Sequence, residues 1–178
     1  MAEDTEPAGS SLQAPVEPFD RLFMAEYGKV VAVAHRVLAD RPEAEDVAQE
    51  VFLDFHRKHR PDASYAPSWL HRAAVHTALN RIRSRKRRER RELADARGGD
   101  HTMVDPQRVV EVQEDRRQVR EALGRLPAKA ASVLALRYSG LSYVEVGAAL
   151  GVGSGQVGTL LRRAETALRK EMSRATSF

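Results

Sequence analysis

Apolar residues recur at the spacing of an α-helix along most of this 178-residue chain, and this pattern predicts an all-α fold. The first helix is predicted from about Phe19 to Leu38, after which Asp40-Arg41-Pro42 interrupts the pattern. The second is predicted from Glu43 to about His59. A third follows a proline-containing loop and runs from Trp69 to Arg91 without proline or glycine.

The third predicted helix combines an apolar stripe with a high density of cations. The stripe comprises His71, Val75, Ala78, Leu79 and Ile82, and Trp69 is expected to pack against the same core. One flank carries Arg81, Arg85 and Arg88, and the other carries His76, Asn80, Arg83 and Arg87. Cations on both flanks suit a nucleic-acid backbone, because each neutralised phosphate releases condensed counterions. The alternative is a solvated helix end, where basic residues favour the C-terminus.

A second helical block follows a segment that contains Gly98-Gly99 and is predicted to be a flexible linker. Within this second block, Ser142 and Glu145 form a predicted capping box that opens a helix, and Gly151 ends that helix. The next helix is polar and basic on its free face, which is typical of a helix-turn-helix, although an ordinary antiparallel helix pair is an alternative. The pattern divides the chain into a disordered tail at 1–18, a helical domain at 19–91, a linker at 92–104 and a helix-turn-helix domain at 105–175.

The second predicted helix has a polar face that differs from its core stripe. This face carries Asp46, Gln49, Glu50 and Leu53. An apolar side chain surrounded by acids indicates a contact point for a protein partner. A lone exposed leucine is also common on protein surfaces, so the pattern alone leaves both interpretations open.

Charge and composition narrow the function classes. The formal net charge is only +4, but acidic residues dominate up to Phe55 and cations dominate from Arg57 to Arg91, which suggests different partners for different segments. The absence of cysteine excludes disulfides and thiolate metal sites. No apolar run approaches the length of a membrane span, so we expect a soluble cytoplasmic protein without membrane insertion. No catalytic constellation, metal site or cofactor motif is recognisable, and the chain is not expected to be an enzyme.

Two motifs resemble those of one family. AEDVAQEVFLDF, followed by WLHRAAVHTALNRIRSRKRR, resembles the first conserved domain of extracytoplasmic-function (ECF) bacterial sigma factors. LGRLPAKAASVLALRYSGLSYVEVGAALGVGSGQVGTLLRRAETALRK resembles their second conserved domain. The resemblance covers about Phe19 to Met172. It implies a factor that binds core RNA polymerase and directs promoter recognition, melting and transcription initiation.

The resemblance also implies three sets of site residues. Asp46, Gln49, Glu50 and Leu53 would contact the clamp-helix coiled coil of the polymerase largest subunit. Trp69, His76, Asn80, Arg81, Arg83, Arg85, Arg87 and Arg88 would hold the melted strand of the minus-ten element, with the loop before Trp69 helping to capture an unpaired base. Ser154, Gln156, Thr159, Arg162 and Arg163 would bind the minus-thirty-five element. An anti-sigma factor is a further candidate partner.

The chain departs from the common family pattern in both DNA-binding segments. His76 stands where the family commonly has asparagine, and Asn80 where it has aspartate. In the recognition helix, Gly158 and Leu160 replace two cations. Two other hypotheses therefore stay open: a free-standing helix-turn-helix regulator that binds duplex DNA without polymerase, and an enzyme that acts on nucleic acid.

Overall fold

The computed structural model describes residues 17–95 and 109–176, and within these ranges every regular element is an α-helix. The helices are α1 (Pro18–Leu38), α2 (Arg41–Lys58), α3 (Ala66–Asp95), α4 (Val109–Arg125), α5 (Ala128–Tyr138), α6 (Tyr143–Leu150) and α7 (Ser154–Thr176). The predicted all-α fold is therefore confirmed. Helices α1–α3 form the first domain and α4–α7 the second. Residues 1–16 of the predicted tail, most of the predicted linker and residues 105–108 of the predicted second domain lie outside the described residues, whereas Pro18, assigned to the tail, begins α1.

The ends of the helices follow the capping signals in the sequence. At the start of α2, the Asp40 side chain accepts a hydrogen bond from the Glu43 main-chain N–H at 2.8 Å. The predicted capping box of α6 is confirmed: the Glu145 N–H donates to Ser142 Oγ at 3.2 Å, and the Ser142 N–H donates to Glu145 Oε2 at 2.8 Å. Gly151 ends α6 in the left-handed conformation, with φ of 67°.

Helix α3 is longer than the sequence pattern predicts. The predicted segment ended at Arg91, but the helix continues to Asp95, so residues 92–95 are helical rather than linker. The physical reason is composition, because Glu92, Leu93 and Ala94 are good helix formers and no glycine occurs between Arg91 and Gly98.

The first domain buries one polar pair inside its apolar core. His71 is 1% exposed, and its Nε2 lies 2.8 Å from Oε2 of Glu26 on α1, which is 7% exposed. Burial lowers the pKa of His71, and the neighbouring carboxylate opposes this shift. The position of His71 on the apolar stripe was predicted correctly. Its partner was not, because Glu26 lies 45 residues earlier in the chain.

In the second domain, the turn between α6 and α7 depends on a close approach at Gly147. A Cβ added there would lie 2.8 Å from the Val152 carbonyl oxygen and 3.3 Å from the Ser154 nitrogen. The Val152 N–H also donates to the Gly147 carbonyl at 2.9 Å, which keeps the turn tight. Only glycine fits this contact without displacing the main chain.

The two domains pack against each other and share one apolar core, which the sequence pattern did not predict. The predicted apolar stripe of α3 ends at Ile82, and this residue contacts the second domain so closely that a Cβ added at Gly124 of α4 would lie 2.9 Å from Ile82 Cγ2. We call this contact region the domain seam. Its polar contacts include Lys29 Nζ to Glu145 Oε1 at 3.0 Å, Arg120 Nη1 to Leu38 O at 3.0 Å, Arg83 Nη2 to Leu126 O at 3.1 Å and Ser139 Oγ to Ala32 O at 3.3 Å.

The Glu145 carboxylate makes contacts both within the second domain and across the domain seam. Glu145 caps α6 and also pairs with Lys29 of α1. Its hydrogen bond from the Ser142 main chain, followed by the one from Lys29, lowers the pKa of Glu145 to about 2. The same contact raises the pKa of Lys29, so both groups are charged across the neutral range.

Candidate polymerase and nucleic-acid interfaces

The polar face of α2 is exposed to solvent. We define the docking face as Asp46, Gln49, Glu50 and Leu53, all of which are exposed. Leu53 is 54% exposed, although the residues on either side of the face, such as Val51 and Phe55, are buried. The α2 core stripe fixes this orientation, because an α-helix separates core and surface positions at its 3.6-residue period.

One set of predicted DNA-binding residues on α3 forms a continuous surface. We define the outer face of α3 as Trp69, His76, Asn80 and Arg87, which follow one side of the helix, together with the exposed Arg88, which lies about 100° around the helix on the flank nearer α2. All are exposed except Trp69, which is partly buried. Its ring centroid lies 5.4 Å from that of Phe55 and 4.6 Å from that of His59. The tryptophan therefore packs on the core, as predicted, and remains accessible at the start of this face.

Two other arginines of α3 are paired with α2. Arg81 Nη2 lies 2.9 Å from Glu50 Oε2, and Arg81 Nη1 is 3.5 Å from the Glu43 carbonyl oxygen. Arg85 Nη2 contacts both carboxylate oxygens of Glu43, at 2.8 and 2.7 Å. This contact with Glu43 raises the pKa of Arg85. Sequence spacing places both arginines on a helix flank, but it gives no sign that acids of α2 lie opposite them.

Two further cations of α3, Arg83 and Lys86, face the second domain. Arg83 donates to the Leu126 carbonyl in the domain seam. Lys86 lies in a cleft between α3 and α4, and burial, followed by the charge of Arg125, lowers its pKa. The cationic helix thus has three distinct environments: the outer face, the side paired with α2 and the side covered by the second domain.

Helix α7 corresponds to the recognition helix of the sequence analysis, and it presents its predicted contact residues to solvent. Ser154, Gln156, Thr159, Arg162 and Arg163 are exposed, while Val157, Leu161 and Ala164 are buried beneath them. Leu160, which replaces a cation of the common family pattern, is half-buried and packs on the core. A Cβ added at Gly158 would make an ordinary contact with Tyr143 at 3.6 Å.

Sequence spacing did not identify how the loop before α3 is held. Tyr65 Oη lies 3.3 Å from His59 Nδ1, and Arg60 pairs with Asp62 at 3.0 Å. Tyr65, the last residue of this loop, is 48% exposed. A cleft of about 320 Å³ lies between α2 and α3, and its lining includes Glu50, Leu53 and Trp69. It connects the docking face with the start of the outer face.

Comparisons with known proteins agree in both halves of the chain. Residues 22–88 match the family described as Sigma-70 region 2, and residues 116–168 match Sigma-70, region 4. The chain is 31% identical over 166 residues to the RNA polymerase sigma-H factor of Pseudomonas aeruginosa, covering 86% of each chain. It is 30% identical to the ECF RNA polymerase sigma factor SigW of Bacillus subtilis, covering 81% of this chain and 83% of the relative.

A solved structure is also similar. The co-crystal structure of the sigma factor RpoE in complex with the anti-sigma factor NepR from Bartonella quintana matches 87% of this chain and 96% of that chain, with 21% identity and a TM-score of 0.49. Among the helices that the structure describes here, none is long and apolar enough to cross a membrane.

Proposed function

Because the chain belongs to the ECF family of RNA polymerase sigma factors, which bind core polymerase and promoter DNA, we propose a specific role for each of its surfaces. The docking face of α2 contacts core polymerase. The outer face of α3 holds the melted minus-ten strand, and the exposed residues of α7 contact the minus-thirty-five element. We assign these roles to a first domain at 19–91 and a second at 105–175.

The observation that carries this proposal is the arrangement of α2 and α3. Their docking face is acidic with one exposed leucine, while the outer face is cationic and begins at an accessible tryptophan. Arginines suit a phosphate backbone, and an aromatic ring suits an unstacked base. Two neighbouring helices therefore offer a protein-binding and a strand-binding surface side by side.

The alternative function is a free-standing helix-turn-helix regulator, and the exposed docking face argues against it because such a regulator has no need of one. A pull-down with core polymerase, followed by run-off transcription on genomic fragments, separates the two. We expect the chain to co-purify with core polymerase and to direct transcripts from defined start sites. Tight sequence-specific duplex binding without polymerase, and no run-off product, would favour the regulator.

Binding both promoter elements requires the domains to separate. Elements centred near minus ten and minus thirty-five are about 25 base pairs apart, or about 85 Å at 3.4 Å per pair. In the packed arrangement α6 contacts α3 and α7 follows α6, so the two DNA-binding helices lie within about two helix-packing distances, or about 20 Å. We propose that the domain seam opens when the factor engages a promoter.

The first prediction concerns the outer face of α3. Replacing Arg87 and Arg88 with alanine should weaken promoter-complex formation and reduce its salt dependence by about 0.7 log unit per log unit of salt for each lost single-strand phosphate contact. Complex formation by reconstituted holoenzyme, titrated with salt, measures both effects. Arg21→Ala, which removes an exposed arginine of α1, is the matched control. An unchanged salt slope in the double variant would contradict this assignment.

The second prediction concerns α7. Gln156 can pair bidentately with adenine, so Gln156→Ala should relax specificity at one base pair at a cost of about 1–3 kcal/mol. Arg162→Ala should instead weaken binding to all upstream sequences about equally, because a phosphate contact carries no base information. Selection on randomised upstream elements checks both outcomes. If the Gln156 variant keeps the wild-type base preference, another residue performs the readout.

A further inference from the structure

Arg81 of α3 contacts the docking face of α2. Its guanidinium contacts α2 at two points, the Glu50 carboxylate at 2.9 Å and the Glu43 carbonyl at 3.5 Å. These contacts fix the guanidinium against α2 and leave the Arg81 side chain only 30% exposed. Glu50, in contrast, is 59% exposed and belongs to the docking face. The Arg81 guanidinium therefore lies beside the docking face and not on the outer face of α3.

We propose that Arg81 is a positioning residue for polymerase docking, which holds the Glu50 carboxylate in place for a cation of the polymerase. This inference rests on the proposed role of the docking face. One oxygen of Glu50 accepts from Arg81, and within residues 17–95 and 109–176 its other oxygen has no hydrogen-bond partner. A carboxylate accepts several hydrogen bonds at once, so Glu50 can keep Arg81 while it binds a second cation.

The energetic argument is pre-organisation. A free glutamate side chain must be immobilised when polymerase binds, and that loss of rotamer freedom weakens binding. Arg81 immobilises Glu50 before the encounter. For one side chain this corresponds to about three- to tenfold in the dissociation constant.

The structure provides a matched control. Arg85 and Glu43 form the same kind of ion pair between the same two helices, with both carboxylate oxygens engaged. Glu43 lies off the docking face, and its side chain is 22% exposed. Removing Arg85 therefore costs α2–α3 pairing of comparable strength without changing the docking face.

The test measures the affinity of the labelled full-length chain for core polymerase, without DNA, for wild type, Arg81→Ala, Glu50→Gln, the double variant and Arg85→Ala. We expect Arg81→Ala to bind about three- to tenfold more weakly and Glu50→Gln to lose more. The double variant should equal Glu50→Gln, because Arg81 acts through Glu50. Arg85→Ala should bind like wild type, and Arg81→Lys, which keeps the charge but not the planar fork, should fall between wild type and Arg81→Ala.

Three results would overturn the inference: wild-type affinity for Arg81→Ala, equal losses of affinity for Arg81→Ala and Arg85→Ala, or additive losses in the double variant.

A second readout uses preassembled holoenzyme at saturating polymerase, where Arg81→Ala should leave the salt slope of melted-strand binding unchanged. A slope lower by about 0.7 would make Arg81 a phosphate contact instead.

Leu53→Asp tests the docking face independently. If it binds polymerase normally the face itself is wrong, whereas if it fails while Arg81→Ala is normal, only the role of Arg81 is wrong.

Discussion

Leu53→Asp should abolish binding to core RNA polymerase while leaving the free energy of unfolding close to that of wild type. Leu53 is 54% exposed and lies off the α2 core stripe, so the substitution removes little buried area. In the complex, however, it would place a carboxylate in an apolar contact among the acids of the docking face. Hot-spot residues near the centre of an interface cost about 2–4 kcal/mol when truncated, and an unpaired buried charge adds to that loss. Co-purification and thermal unfolding measure the two quantities.

The matched control is Val144→Asp, which introduces the same charge at another exposed aliphatic residue. Val144 is 69% exposed on α6 in the second domain, away from the docking face. We expect this variant to be recovered with core polymerase at close to wild-type yield. Recovery of the Leu53 variant at wild-type yield would mean that the docking face has been misplaced.

Gly147→Ala should destabilise the helix-turn-helix domain and weaken upstream DNA binding. The added Cβ meets the Val152 carbonyl oxygen at 2.8 Å, and a main-chain atom cannot rotate away as a side chain could. Overpacking of this kind costs about 1–3 kcal/mol, and we expect the upper part of that range to exceed the helix-propensity gain of about 0.5–1 kcal/mol. Because α7 begins at Ser154, directly after this turn, a displaced turn also reorients the recognition helix.

Gly158→Ala should have the opposite effect on stability. Its Cβ would make only an ordinary contact with Tyr143, at 3.6 Å, so the helix-propensity gain of about 1 kcal/mol should be retained. Denaturant unfolding of both variants tests the pair. If Gly147→Ala proves as stable as wild type, the turn has enough freedom to accept a side chain. If Gly158→Ala proves less stable, the packing of α7 on Tyr143 is tighter than the distance implies.

Local signals predicted the helices well because they act over short distances along the chain. The Asp40-Arg41-Pro42 break, the Ser142–Glu145 capping box and the Gly151 stop each act within one helical turn, and the helix ends follow them closely. The exposure of Leu53 and Gln156 also followed from helical periodicity, because their core-facing neighbours determine which way each helix faces.

The partners of charged residues were not predictable in the same way. Arg81 was grouped with the strand-binding cations because periodicity shows which side of a helix a residue occupies, but not which helix lies opposite. Its partner Glu50 is 31 residues away, and the Glu26 partner of His71 is 45 residues away. The domain seam was missed for the same reason. One of its apolar contacts is made at a glycine, Gly124, which carries no hydrophobic signal but permits close approach to Ile82.

The chemistry of the domain seam has a consequence for heritable variation. Arg83 and Arg120 each donate across it to a main-chain carbonyl, those of Leu126 and Leu38. Every amino acid carries that oxygen, so no missense change at the acceptor positions deletes the hydrogen bond itself. Alleles that loosen the seam through these bonds should therefore arise at the two arginine codons. A genetic selection for variants with increased transcription should recover changes at Arg83 and Arg120, whereas changes at Leu38 and Leu126, which are buried in the core, act through packing and not through these hydrogen bonds.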